Sequence, residues 1–150
     1  YLRSHSHATL NDFWWWYGIS MTEARFAINL VKDAMHTEKI NDVEYFIHQS
    51  CCQVTRGDLV HFLPAFDEYL ISYKDRTAAL ELLHHSKAFN NWGIVYPVIL
   101  GNGRIIGNWK KVTSKGKSNI ETSFCDKTVK VNKKLLKESA NKYLNYLNSI

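Results

Sequence analysis

The sequence predicts an α+β fold: a winged helix, which is a helix-turn-helix plus a β-hairpin, followed by a small antiparallel β-barrel or curled sheet with a C-terminal helix. Three observations predict it: two capped helical segments near the start, a hairpin pattern directly after them, and strand-like segments from residue 59 that lead to a last helix. We expect a winged-helix domain over residues 1–57 and a β-barrel-like domain with its closing helix over residues 58–150.

Two capping boxes mark helix starts near the beginning of the chain. Thr9 stands three residues before Asp12, and Ser20 stands three residues before Glu23. At this spacing a hydroxyl and a carboxylate satisfy the free N–H groups of a first helical turn. A first helix over about residues 10–17 and a second that starts at about 21 are therefore expected.

Gly18 supplies the turn between these helices, which is typical of a helix-turn-helix. The second helix, over about residues 21–34, has two faces. Apolar residues recur at core spacing at Met21, Ala24, Ile28 and Val31. A polar stripe, of residue types that contact phosphates and base edges but also occur on any solvated helix face, contains Thr22, Arg25, Asn29 and Lys32.

The segment EKINDVEYFIHQ, residues 38–49, reads as a strand, an Asn-Asp turn and a second strand. It supplies the wing. Trp15 and Trp16 fall away from the apolar stripe of the first helix, so we expect either the C-terminal half of the chain or a preceding part of the protein to cover them.

Strand patterns dominate from residue 59 onward. The turn Asn102-Gly103 is a strong hairpin signal, and Lys115-Gly116 predicts a second turn. Residues 77–91 read as helical turn and loop, and a helix follows from Asn132. Five segments are predicted as strands: LVHFLP, EYLISY, GIVYPVIL, RIIGNWKKV and KSNIETSFC.

Charge is distributed unevenly along the chain. Residues 1–103 contain 8 Lys and Arg against 11 Asp and Glu, whereas residues 104–150 contain 11 against 3. A basic last third fits a polyanion partner, although a solvated surface is the alternative. On or between the predicted hairpin strands we expect phosphate contacts from Arg104, Lys110, Lys111, Lys115 and Lys117. Lysines that block unwanted strand pairing are the competing interpretation.

Composition excludes several classes of protein. No apolar stretch has the length of a membrane span, and Cys51, Cys52 and Cys125 are too few and too unevenly spaced for a disulfide framework. The adjacent pair lacks the C-x-x-C spacing of a zinc site, so we expect no metal and no cofactor. A cytoplasmic protein is predicted. Because the chain begins with Tyr1 and its first Met is Met21, we expect it to be a piece of a longer protein.

Three blocks resemble, in order and spacing, the winged-helix DNA-binding family that includes the AlkZ and YcaQ DNA glycosylases: YLRSHSHATLNDFWWWYGISMTEAR, FLPAFDEYLISYKDR and YPVILGNGRIIGNWKK. The resemblance covers nearly the whole chain. It implies tandem winged helices that form a concave cleft, with a small β-barrel after the last one. This chain then corresponds to the last winged helix and the barrel. Its implied partners are double-stranded DNA and the preceding winged-helix domains of the same protein, and we expect a monomer.

Glycosylases of that family are associated with a Gln-x-Gln motif in an earlier winged helix, where the amides would position water against the C1′ carbon of a damaged nucleotide. This chain has Gln49 and Gln53 but no Gln-x-Gln. The resemblance therefore assigns no catalytic residue here and places any glycosylase chemistry of a full-length parent upstream.

The segment FLPAFDEYLISYKDR, residues 62–76, sets charges densely among apolar residues. If the barrel borders a DNA cleft, its carboxylates can hold neighbouring cations or backbone N–H groups in place through charge-assisted hydrogen bonds. The alternatives are that they face the reaction centre or simply solvent. The cleft candidates are Asp67, Tyr69, Lys74, Asp75 and Arg76.

Three functions compete. The first is the DNA-binding C-terminal part of a glycosylase-like winged-helix protein. The second is a transcription regulator, which would read paired half-sites as a dimer, and the third is a protein-interaction module that uses the winged helix as a packing surface, as Trp15 and Trp16 suggest.

Overall fold

The computed structural model describes residues 1–51 and 57–147. The chain divides into two compact units: unit 1 comprises Tyr1–Thr55 and Glu68–Asp75, and unit 2 comprises Arg56–Asp67 and Arg76–Ile150. Two residues named in the sequence analysis lie outside the described residues: Cys52 of the adjacent cysteine pair, and Gln53, one of the two glutamines. None of the helices within the described ranges has the length and hydropathy that a membrane crossing requires.

In unit 1 the first helix, α1 (Leu10–Tyr17), begins at the predicted capping box. The Thr9 hydroxyl accepts the Asp12 N–H at 3.1 Å, and the Asp12 carboxylate accepts the Thr9 N–H at 2.8 Å. The helix ends at Gly18, whose φ of 64° lies in the left-handed region that glycine adopts without strain. The predicted start and end of α1 are confirmed.

The second helix, α2 (Met21–Val31), begins at the second predicted capping box and continues into a 3₁₀ turn over Lys32–Ala34. Its Ala24 and Ile28 are buried, as predicted. Val31 was predicted as a core residue, which is wrong, because it is 47% exposed in the last turn, just before the change to 3₁₀ geometry rotates the helix face.

The predicted hairpin is present: β1 (Met35–Ile40) pairs antiparallel with β2 (Val43–His48). Asn41 and Asp42 connect the strands with φ values of 49° and 63°, which a two-residue hairpin turn requires and which Asn and Asp tolerate. On its other edge β2 meets the N-terminal segment, where Ala8 bridges Phe46.

Residues 68–73 were predicted as a strand, and this prediction is wrong. They form the helical turn α3 (Glu68–Ile71) in unit 1, which the Ser72 N–H closes by donating to Glu68 O at 3.0 Å. The Ser72 hydroxyl also donates to that carbonyl, at 2.5 Å. A run of three apolar or aromatic residues, 69–71, cannot be assigned by period alone, and Leu70, fully buried, fits either structure.

Tyr1 lies in an aromatic cluster that packs beside the core of unit 1. Its ring stacks on His5 with centroids 4.6 Å apart and on Trp16 at 6.1 Å. The core itself contains Leu2, Ala8 and Ile28. Trp16 is therefore covered by the first residues of its own unit, a source of cover that the helical pattern did not reveal.

Unit 2 is built on a four-stranded antiparallel sheet. The sheet has the order β3-β4-β5-β6, and within the described residues β3 and β6 are its open edges. The β-barrel alternative is therefore wrong, since a barrel needs its first and last strands to pair. The strands are β3 (Val60–Leu63), β4 (Val98–Gly101), β5 (Arg104–Ser114) and β6 (Lys117–Phe124).

Strand β4 is shorter than the predicted segment 93–100. It begins only after Pro97, which has no N–H to donate to a ladder. Both predicted turns are confirmed: Asn102-Gly103 joins β4 to β5, and Lys115-Gly116 joins β5 to β6, all four residues with positive φ. Residues 77–97 contain the 3₁₀ turn Leu82–His84 and the short helix α4 (His85–Ala88).

The C-terminal helix, α5 (Lys133–Leu147), covers one face of the sheet as predicted. Trp109 of β5 is central to this packing: its indole N–H donates to Leu63 O at 2.8 Å, and its ring meets Tyr143 edge-on at 4.7 Å. Ser139 of α5 donates its hydroxyl to Val60 O at 2.7 Å. Helical spacing from Leu136 predicts Ile150 on the same face, but this residue lies outside the described residues.

Candidate nucleic-acid interface

The hairpin of β5 and β6 has one packed half and one exposed half. The residue pairs run from Gly107↔Phe124 to Ser114↔Lys117, so its outer half ends at the tight Lys115-Gly116 turn. Beyond Trp109, which is 8% exposed, the backbone extends by five residues, or about 17 Å. We call residues 110–120 the hairpin arm.

Four of the predicted basic residues lie on this arm, and all four are exposed: Lys110, Lys111, Lys115 and Lys117. Strand alternation places Lys111 on the face of Trp109, and Lys110 and Lys117 on the opposite face. With Lys115 in the turn, the cations surround the arm instead of lining one face. Such a distribution suits a projection that enters a groove better than a flat contact.

Two of the predicted contacts are already engaged by carboxylates. Lys110 Nζ lies 2.9 Å from Glu121, its cross-strand partner, and Arg104 Nη1 lies 3.4 Å from Glu81. Arg104 stands at the opposite end of β5, so the structure does not bring it together with the arm. Across residues 1–51 and 57–147, no carboxylate lies within ion-pair distance of Lys111, Lys115 or Lys117.

Acidic residues are missing from a long part of unit 2. Between Glu81 and Glu121 the sequence has no Asp or Glu, while it contains Lys87, Arg104 and the four lysines of the arm. Fewer carboxylates in this part of the chain reduce like-charge repulsion with a phosphate backbone, and Glu81 and Glu121 at its two ends pair with Arg104 and Lys110. The cationic part of the sequence therefore begins at residue 82, earlier than the boundary at residue 103 across which charges were compared above.

In unit 1 the polar stripe of α2 is exposed as predicted, with Arg25 and Asn29 one turn apart and Lys32 at the C-terminal cap. Beside these residues the helix also exposes two apolar side chains, Phe26 at 65% and Leu30 at 70%. The exposed face of α2 is thus broader and more apolar than the polar stripe alone.

Three of the cleft candidates belong to unit 1, and for Lys74 and Tyr69 the surroundings are defined. The Lys74 N–H donates to Asp12 Oδ1 at 2.8 Å, and Lys74 Nζ stands 4.3 Å above the centre of the Trp14 ring. Burial raises the pKa of the half-buried Tyr69 hydroxyl. Asp12, which caps α1, thus holds the backbone at Lys74, although it lies outside the segment whose own carboxylates were expected to hold backbone N–H groups.

The remaining candidates are Asp75 in unit 1, and Asp67 and Arg76 in unit 2. Asp75 is an exposed residue of unit 1. In unit 2, the Arg76 guanidinium lies 4.9 Å from the centre of the Phe89 ring, a cation–π contact. Burial, then Tyr146 and then Asp67 raise the pKa of the Tyr143 hydroxyl.

Tyrosine protonation is favoured around Asp12. The Tyr1 hydroxyl donates to Ser72 O at 2.8 Å, and burial, then the Asp12 carboxylate, then Tyr73, raises its pKa. Burial and the same carboxylate raise the pKa of Tyr73. The Tyr1 hydroxyl is thus a donor, and because a raised pKa keeps both phenols protonated at neutral pH, neither can act as a general base there.

A cavity of about 90 Å³ in unit 2 brings together Cys125, His84, Asp126 and Arg104. The His84 Nε2 atom lies 3.8 Å from Asp126 Oδ2, a geometry reminiscent of nucleophile sites. Burial, however, raises the pKa of the Cys125 thiol, with Asp126 and Glu81 adding to the effect against Lys87. A thiol held protonated is a weak nucleophile, so we assign this cavity no catalytic role.

One exposed aromatic residue escaped the sequence reasoning. Trp92 is 89% exposed, the largest exposure among the large apolar residues of the described ranges. Its signal in the sequence is its position in the turn-forming run Asn90-Asn91-Trp92-Gly93, inside the stretch without acidic residues.

Comparison with known proteins relates this chain to DNA glycosylases. Residues 1–146 match the family described as DNA glycosylase AlkZ-like. Among solved structures, the Streptomyces sahachiroi DNA glycosylase AlkZ superposes with a TM-score of 0.74 at 20% sequence identity, covering 93% of this chain and 38% of that chain. The present chain thus spans well under half the length of that structure. A search of curated proteins found no match to the present chain.

Proposed function

Because the chain belongs to the AlkZ-like DNA glycosylase family, we propose that it is the DNA-binding C-terminal part of a glycosylase-like protein. The observation that carries the proposal is the hairpin arm, which presents Lys111, Lys115 and Lys117 without carboxylate partners in the described ranges. A cationic projection of this kind contacts phosphates on both walls of a groove and gives affinity without reading sequence.

In this proposal residues 1–57 form a winged helix, with α1 and α2 as the helix-turn-helix and the β1–β2 hairpin as the wing. Two capped helices separated by Gly18 and followed at once by a tight hairpin support it. Arg25, Asn29 and Lys32 on the exposed side of α2 are then contacts to DNA. Residues 58–150 form the second domain, whose open sheet carries the arm.

We assign no bond-breaking step to this chain. It has no Gln-x-Gln, and burial holds the Cys125 thiol of the cavity in unit 2 in its protonated form. Glycosylase chemistry requires a base out of its stack and stabilised positive charge on the sugar. A longer parent protein would supply those groups, while this chain holds the duplex. A cytoplasmic location and a monomeric state belong to the same proposal.

Two assays test the proposal. This chain should bind a fluorescein-labelled duplex of mixed sequence at low salt but release no base from alkylated DNA, whereas the longer protein should do both. Failure of the chain to bind any duplex at low salt would remove the proposal. Release of an alkylated base by this chain alone would place the chemistry here and contradict the division of labour.

A protein-interaction module is the second candidate, and the apolar exposure of α2 favours it. Phe26 and Leu30 lie one turn apart and add a hydrophobic strip to the helix that a phosphate backbone does not need. Trp15 and Trp16 support it less than expected, because Trp16 stacks beneath Tyr1 and the Trp15 indole N–H donates to Ile71 O at 3.3 Å. A Phe26→Ser, Leu30→Ser double variant that binds DNA normally but loses association with the rest of its protein would establish this role for α2.

A further inference from the structure

Trp92 stands at the tip of a tightly braced loop in unit 2. Asn90 holds the loop closed: its side-chain oxygen accepts the N–H groups of Trp92 and Ile94, both at 2.9 Å. The Asn90 N–H donates to Ile94 O at 3.1 Å, and Phe89 bridges Val95 below it. Two bonds to the Asn90 side chain and the backbone pairing beneath them thus fix the tip of the loop. This order lowers the conformational entropy that is lost when Trp92 contacts a partner.

The loop tip is open at Gly93, the residue after Trp92. Gly93 follows it with φ of 78°, and a Cβ added there would meet no atom within 4 Å. Trp92 is 89% exposed, so folding gains almost nothing from its apolar surface. Because the loop holds Trp92 outside the core, its indole ring is a flat aromatic surface that a partner can contact.

Charge decides which partner fits. The loop lies within residues 82–120, which contain six Lys and Arg and no Asp or Glu. Lys87 stands five positions before Trp92 in the sequence. Arg76 adds a guanidinium against Phe89 at the base of the loop, 4.9 Å from the ring centre. An exposed aromatic face in a part of the chain whose own charged residues are all basic matches the two parts of a nucleotide, the base for stacking and the phosphate for charge.

We propose that Trp92 is a stacking platform for a nucleobase that has left the duplex stack, at a bulge, a mismatch or a single-stranded stretch. This inference rests on the proposed DNA binding and extends it from phosphate contacts to recognition of distorted DNA. An intact duplex hides its base faces, so it can use the lysines of the arm but not the Trp92 ring. A bulged duplex can use both, and binds more tightly.

The test compares Trp92→Ala with wild type on two labelled duplexes of one sequence, with and without a single-nucleotide bulge. Wild type should prefer the bulged duplex, and Trp92→Ala should lose about five- to a hundredfold in affinity for it while its affinity for the intact duplex changes little. The slope of log affinity against log salt should stay as in wild type, because no phosphate contact is removed. Trp92→Phe, which keeps a ring, should retain most of the preference.

Leu83→Ala is the matched control, because Leu83 is 84% exposed in the same unit but has no ring to stack, and it should leave the preference intact. Equal preference in wild type and Trp92→Ala, with both binding DNA, overturns the inference and leaves DNA binding standing. The same result with a change from dimer to monomer in sedimentation makes Trp92 a protein contact, which also overturns it. Absence of any DNA binding by wild type at low salt overturns both proposals together.

Discussion

The carboxylate of Asp12 accepts the backbone N–H of Lys74 at 2.8 Å, across 62 positions of sequence. Its other oxygen accepts both the N–H and the hydroxyl of Thr9 at the start of α1, at 2.8 and 2.7 Å. One buried side chain, 3% exposed, thus caps a helix and anchors the segment that follows α3. Within unit 1, this contact fixes the backbone of the charged segment at Lys74.

Replacement of Asp12 should therefore destabilise unit 1 strongly. Asp12→Ala leaves the N–H groups of Thr9 and Lys74 without their acceptor, and we expect a loss of about 2–4 kcal/mol in the free energy of unfolding. Urea unfolding followed by circular dichroism measures it. Glu23→Ala is the matched control, because Glu23 fills the same capping position on α2 but is exposed. An equal loss in the two variants would show that the Lys74 contact contributes nothing.

The tyrosine next to this carboxylate makes unit 1 sensitive to high pH. The pKa of Tyr1 is raised from 10.0 in the fold, by burial first and Asp12 next, so the unfolded chain ionises earlier as pH rises. The stabilisation is complete below pH 10.0 and is lost as pH climbs from there toward the folded value. Tyr1→Phe should be less stable at pH 7, having lost its bond to Ser72, yet should decline less steeply between about pH 9 and 11. Parallel declines in urea-unfolding free energy would contradict this assignment.

Close backbone approach makes Gly107 of β5 indispensable to the sheet. A Cβ at this position would overlap the Ser123 carbonyl oxygen and come within 2.9 Å of Phe124 Cα, both in the neighbouring strand. Backbone cannot move aside cheaply, so Gly107→Ala should cost about 1–3 kcal/mol of unfolding free energy. Gly57→Ala, where a Cβ meets nothing within 4 Å, is the control. A neutral Gly107→Ala would show that β6 can shift.

Removal of the one carboxylate on the β5–β6 hairpin should strengthen DNA binding, whereas the substitutions above weaken the fold. Glu121 holds Lys110 at 2.9 Å in an exposed pair that adds little to stability. Glu121→Gln should free that lysine and tighten binding to a mixed-sequence duplex by about two- to fivefold at low salt, without loss of stability. Glu138→Gln, which frees Lys134 on α5, removes the same charge elsewhere and should change affinity less. Weaker binding of Glu121→Gln would show that the pair positions Lys110.

Local signals in the sequence predicted much of this fold. Both capping boxes and all three tight turns depend on neighbours in the chain, and each is where its residues predicted. The helical turn at Glu68–Ile71 was missed because a short apolar run has no decisive period, and tertiary packing of Leu70 settles it. The choice between a barrel and a curled sheet stayed open because closure depends on strand number and pairing, which alternation alone does not reveal.

The candidate site was predictable to a similar extent. Composition and the Lys115-Gly116 turn place four lysines on one hairpin, as expected. Their partition between free and paired cations depends on register, which sets Lys110 opposite Glu121. The contact of Asp12 with Lys74 could not be foreseen, since nothing in either local sequence specifies a partner so far along the chain.

The salt dependence of duplex binding tests the central claim, that the hairpin arm holds DNA through its unpaired lysines. Wild type is compared with a Lys111→Gln, Lys115→Gln, Lys117→Gln variant and with the corresponding triple Arg variant, which keeps the charge. We predict that log affinity falls linearly with log salt concentration, that the Gln variant reduces this slope by about 3, and that the Arg variant retains it. A slope shared by wild type and the Gln variant would contradict the account.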